Sequence, residues 1–182
     1  PSCSRYTPSE QALMATNAAA AVLQKVNPAA RISFLSYYDT EDAPYRVKPY
    51  PNVFVLWAPR KRCYAHGLSG DACAVNAPRY TRGYAAQADY FRARGAPPAS
   101  VFEYYLDAVL FKSVLPPLFG VMRRDLAFYR SAGTHTIQAL MTGDFPWTSA
   151  QPNAWIFARL AWKADADPAF LLTEFCASTF GR

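Results

Sequence analysis

Four short runs rich in β-branched and aromatic residues, at 31–38, 53–58, 100–106 and 134–141, limit what this chain can fold into. Each is too short for a stable helix, and each reads as a strand. The stretch before them reads as a helix. Thr7 can cap it, Pro8 suits its first turn, Glu10 completes a capping box with Thr7, and Pro28 stops it. A loop carrying three prolines, 39–52, joins the first two strands. Asn76 and Pro78 open a helix that Gly95 ends. Leu118, Val121, Met122, Leu126 and Tyr129 then recur at helical spacing until Gly133. Two further helices, around 153–162 and 168–180, complete the order. The unbroken apolar run 53–58 predicts a strand buried on both faces.

Short strands alternating with helices imply parallel pairing. The expected class is therefore α/β, with about four parallel strands and flanking helices over residues 1–182, as a single domain or partial barrel. An eight-stranded barrel takes about 250 residues. The chain is thus either the second half of a (β/α)8 barrel or a small independent sheet. Its first residue, Pro1 rather than Met, favours the half-barrel, with an amino-terminal half elsewhere in the same protein. A half-barrel has a liability: two open strand edges and an exposed apolar interior.

Composition excludes several functions. The 52% apolar share argues against disorder, and no apolar run of about 18 residues exists to span a membrane. The net charge of +6 is spread over 14 Arg and 5 Lys, with runs only at 60–62 and 123–124. That is no nucleic-acid patch. A Gly-rich phosphate loop and a GxSxG elbow are both absent, so nucleotide hydrolysis and serine esterase chemistry lack support. No cofactor is expected. Nor is a metal, since the four cysteines form no CxxC pair and the two histidines lie far apart in sequence. Cys63 and Cys73 bracket a short loop and form either a disulfide or two ordinary thiols.

In parallel α/β folds the working residues collect beyond the carboxyl ends of the strands. Asp39, Glu103, Asp107 and Asp144 lie there; Asp39, Glu103 and Asp144 are the candidate catalytic carboxylates, and Glu103 stands out because it interrupts the apolar run VFEYY. A buried carboxylate must be paired or hydrogen-bonded. Glu103 is therefore either a tuned acid or base, or a structural partner for an arginine of the RKR run. Trp57, Tyr104, Tyr105 and Trp147 offer flat faces for stacking on sugar rings, or are plain core. Arg60 and Arg62 could grip an acidic sugar or orient Glu103. His66 is a secondary candidate.

The segments WAPRKRCYAH, CAVNAP, VFEYYLDAVLF, RRDLAFYRSAG, ALMTGDFPW and NAWIFARLAWKADADP together resemble one large bacterial family of unassigned function. Its domain is grouped with the glycoside hydrolase (β/α)8 barrels, near hexosaminidase-like and α-glucuronidase-like enzymes. The resemblance implies strands five to eight of such a barrel, acting on oligo- or polysaccharide in a secreted, periplasmic or surface-exposed bacterial protein. The principal acid of related barrels would lie before Pro1. Because the family has no settled reaction, Glu103 inherits no role from it. Two functions are expected: a glycan-hydrolysing barrel using strand-end carboxylates, or a non-catalytic carbohydrate-binding or interaction module.

Overall fold

The computed structural model describes residues 5–69, 72–142 and 150–181. Helix α1 (Pro8–Val26) opens with the expected capping box. Thr7 Oγ1 accepts from Glu10 N–H at 3.2 Å, and Glu10 Oε2 accepts from Thr7 N–H at 3.0 Å. Strands β1 (Ile32–Ser36), β2 (Val53–Trp57), β3 (Ser100–Asp107) and β4 (Thr136–Thr142) follow, all within two residues of the runs that announced them. Helix α2 (Arg82–Arg92) is preceded by a π-helical turn, Asn76–Thr81. Helices α3 (Phe119–Ser131), α4 (Ala150–Trp162) and α5 (Pro168–Phe180) complete the order. Gly95 and Gly133, which close α2 and α3, take φ of 73° and 80°, a backbone region that side-chain-bearing residues rarely adopt.

The four strands pair in sequence order β1-β2-β3-β4, every pair parallel. Helices cover one face of this sheet. Phe34, Val53, Val55, Trp57 and Val101 pack against Leu13 of α1, Tyr84 and Phe91 of α2, and Tyr129 of α3. Tyr105 and Leu106 join Met122 and Leu126 of α3 with Ile156 and Leu160 of α4. No helix among the described residues covers the other face. Leu35, Leu56, Phe102 and Leu140, one from each strand, line an open hollow there. One-sided cover and an all-parallel sheet are consistent with half of a (β/α)8 barrel.

One consequence corrects the expectation for β2. It is not buried on both faces, because Val53, Val55 and Trp57 are buried while Phe54 and Leu56 are only half-covered. A continuous apolar run cannot show which side lacks a helix. No helix among the described residues is long and apolar enough to cross a membrane.

Strand β3 holds the feature that matters most for the site. Its pairing with β4 runs in step from Ser100↔Thr136 to Glu103↔Ala139, then slips by one residue before Leu106↔Met141. Such a slip breaks the alternation of side chains and re-aims those beyond it. Glu103 and Tyr105 face the helices, where they bond to α3, while Asp107 lines the open hollow. Without the slip, Glu103 and Asp107 would share a face.

Candidate functional site

The RKR run leaves β2 and divides between the two faces. Arg62 is fully buried on the helix side, between two carboxylates. It stands 3.4 Å from Glu103 Oε1 and also donates to Asp125 of α3. Tyr129 donates to Glu103 at 2.6 Å, Tyr64 at 3.3 Å, and Tyr105 donates to Asp125 at 2.9 Å. Glu103 also accepts from the Tyr104 N–H, and Asp125 from the Leu68 N–H at 2.7 Å. Burial pushes the Glu103 carboxyl above its ordinary value, and the facing Asp125 adds to this; Arg62 pulls the other way without cancelling it. Burial likewise lifts Tyr64, Tyr105 and Tyr129, so their hydroxyls stay protonated as donors. No ligand can reach this cluster from solvent, because Arg62, Glu103 and Asp125 are almost wholly enclosed.

Arg60 takes the opposite course. It forms a two-pronged pair with Asp107 on the open face, Nε and Nη2 reaching one carboxylate oxygen at 3.0 and 2.9 Å. Asp107 is itself buried. Its other oxygen accepts from the N–H groups of Val109 and Leu110 and from the Thr142 hydroxyl. The arginine is therefore fixed, while its side chain keeps 25% exposure. Its guanidinium lies 5.8 Å from the Tyr104 ring, which stacks on Tyr37 with centroids 6.4 Å apart. Tyr38 bonds Arg60 and packs beneath the Lys61 ammonium at 4.0 Å. Hydrogen bonds from Tyr37 and Arg60 draw the Tyr38 hydroxyl below its ordinary value, while burial raises that of Tyr37.

Tyr38 has φ of 54°, in the left-handed region that a bulky side chain seldom occupies. Strain of this kind persists where the surroundings over-determine it, and it clusters at ligand sites. The pocket lined by Tyr37, Arg60, Tyr104 and Asp107 has a volume of about 530 Å³, and Tyr38 is not among its lining residues. A larger groove of about 990 Å³ lies on the helix side. Arg123, Arg124 and Arg130 face Asp165 and Asp167 there, and no strand-end residue enters it.

The structure thus separates the residues singled out in the sequence. Arg60 and Tyr104 meet in the pocket. Glu103, Arg62 and Tyr105 belong to the buried network and do not line the pocket, which is the structural one of the two alternatives given for each. Trp57 likewise takes its core alternative. It is fully buried against Tyr80 and Tyr84 and is no stacking platform, and Gly83 lets α2 close over it, since a Cβ there would stand 3.2 Å from the indole. Asp39 is exposed on the 3-10 turn Tyr38–Thr40 and does not line the pocket. Asp144 and Trp147 lie outside the described residues. Cys63 and Cys73 stand as thiols, not as a disulfide. Asp107 and Asp125 went unchosen in the sequence. Asp125 had a signal, for it falls in the apolar stripe of α3 between Met122 and Leu126.

The sequence matches, over residues 2–182, the family described as Domain of unknown function (DUF4838). No curated protein and no solved structure gives a significant match.

Proposed function

The chain belongs to that family, and we propose that its open sheet face binds a carbohydrate, as the glycan-binding element of a glycoside-hydrolase-like barrel. The observation that carries this reading is the Arg60–Asp107 pair set beside the half-buried Tyr37 ring, which stacks on the buried Tyr104, in one pocket. A sugar ring offers an apolar face for an aromatic ring and hydroxyls at its edge for a guanidinium. Arg60 has five N–H donors, of which Asp107 takes two. Those remaining suit a sugar carboxylate as well as hydroxyls. In the whole protein, further strands pairing with the open edges of β1 and β4 would wall this pocket and cover Leu35 and Met141, both exposed here.

Binding is favoured over hydrolysis for a geometric reason. Hydrolysis needs two carboxyl groups flanking the bond, about 5–9.5 Å apart. Asp107 is the one carboxylate among the described residues lining the pocket, and its oxygens are occupied by Arg60, Thr142 and two backbone N–H groups. Glu103 faces away.

Calorimetric titration with neutral and uronic-acid-containing oligosaccharides tests the proposal, with reducing-end release assayed in parallel. Tyr37→Ala is expected to weaken binding at least about tenfold, through a lost stacking contact of about 1.5 kcal/mol. Arg60→Ala should erase any preference for the acidic sugars. Binding that survives both substitutions unchanged sinks the reading. Turnover that persists in Asp107→Asn would show that the chemistry lies elsewhere.

A further inference from the structure

The loop between β2 and the π-helical turn holds a second cluster, separate from the sugar pocket. The sulfurs of Cys63 and Cys73 and a ring nitrogen of His66 lie within 4.8 Å of one another. Cys63 Sγ stands 3.3 Å from His66 Nδ1. A tetrahedral zinc ion with ordinary bond lengths sets its S···N edges at about 3.6 Å and its S···S edge at about 3.8 Å. The three donors therefore need only small side-chain shifts to hold one ion.

Buried Asn76 organises all three ligand residues. Its side-chain oxygen accepts from Cys63 N–H at 2.8 Å, and its amide nitrogen donates to the carbonyls of Cys63 and His66 at 2.9 and 3.0 Å. Its backbone N–H points at Cys73 Sγ at 3.5 Å. An N–H directed at a sulfur is the outer support that metal-bound thiolates use. A disulfide would need neither the histidine nor that donor.

We propose that Cys63, His66 and Cys73 form a three-ligand site for zinc or a similarly thiophilic ion. Two thiolates and a neutral imidazole balance a dication, which suits a loop where Cys73 is buried and Cys63 half-covered. His66 is exposed, so the fourth position opens to solvent and takes water or an outside ligand. The ion would fasten the loop whose first residues deliver Arg60 and Arg62 to their opposite faces. Sequence spacing alone gave no warning. Cys-x2-His is a ligand pair only if Cys73 returns to it, and Asn76 makes that return.

Reduced protein, titrated with cobalt(II) and then competed with zinc, is the test. The expected result is one equivalent bound, sulfur-to-cobalt charge-transfer bands, and a higher melting temperature with zinc. Zinc should also slow alkylation of Cys63 and Cys73 but not of Cys176, which is exposed and outside the cluster. His66→Ala, a surface change that leaves folding intact, should weaken binding by more than about tenfold. Cys176→Ser should bind as the parent does. No stoichiometric binding by the reduced protein, or undiminished binding by both His66→Ala and Cys73→Ser, overturns the proposal. So does a Cys63–Cys73 disulfide that persists in the reduced preparation.

Discussion

Arg60 and Arg62 are two residues apart, and each pairs with a carboxylate of β3, yet the two pairs work under opposite conditions. Arg62 enters a dry space and meets Glu103 and Asp125 together, with three tyrosine hydroxyls satisfying the remaining lone pairs. Arg60 meets Asp107 alone and keeps part of its guanidinium in water. Burial, with the second carboxyl of Asp125 beside it, makes Glu103 hold its proton more tightly despite the Arg62 cation. The open pair leaves part of its cation in water, where it can engage a ligand. Residue type and spacing do not distinguish the pairs; the register slip in β3 does.

Breaking the buried pair gives the largest expected effect. Arg62→Ala leaves two enclosed carboxyls without their cation and should lower unfolding stability by about 3–5 kcal/mol. Urea denaturation measures it. A loss under about 1 kcal/mol would mean that water enters the cluster and that the two faces differ less than their burial says. Tyr129→Phe is the next step down. It removes the 2.6 Å hydrogen bond to Glu103 while keeping the ring in the core, and should cost about 1–3 kcal/mol.

The pH dependence sharpens the same contrast. Glu103 has a folded value above that of the unfolded chain, so the folded state binds the proton more tightly. Its contribution is fully present below the unfolded value of about 4.3 and is lost as pH rises through the folded value. Glu103→Gln removes this titration, so stability measured against pH should fall less steeply for the variant above about pH 4.3. A parallel pair of curves would place the titrating group elsewhere.

The sequence told the elements from one another better than it told the faces. Capping by Thr7 and Glu10, the stops at Gly95 and Gly133, and the four strand runs are local signals, and each appears where expected. Glu103 was legible as a residue needing partners, and an arginine of the RKR run does supply one. Its direction was hidden, because a one-residue slip between β3 and β4 depends on both strands and leaves no mark on either. Trp57 stayed open between two places for a related reason. A large aromatic at a strand end fits a pocket rim or a core equally well, and only the approach of α2 through Gly83 decides.

Arg60→Ala completes the comparison with the smallest expected change in stability. The pair it breaks is partly exposed and screened by solvent, so the loss should be no more than about 1 kcal/mol. Asp107 keeps its bonds from Val109, Leu110 and Thr142, so its turn after β3 holds without the arginine. The substitution should therefore shift melting only slightly while removing the preference for acidic sugars. A stability loss matching that of Arg62→Ala would make Arg60 a structural residue like its neighbour. The open pair would then be a second brace for the sheet, and Tyr37 would be left to carry any sugar binding.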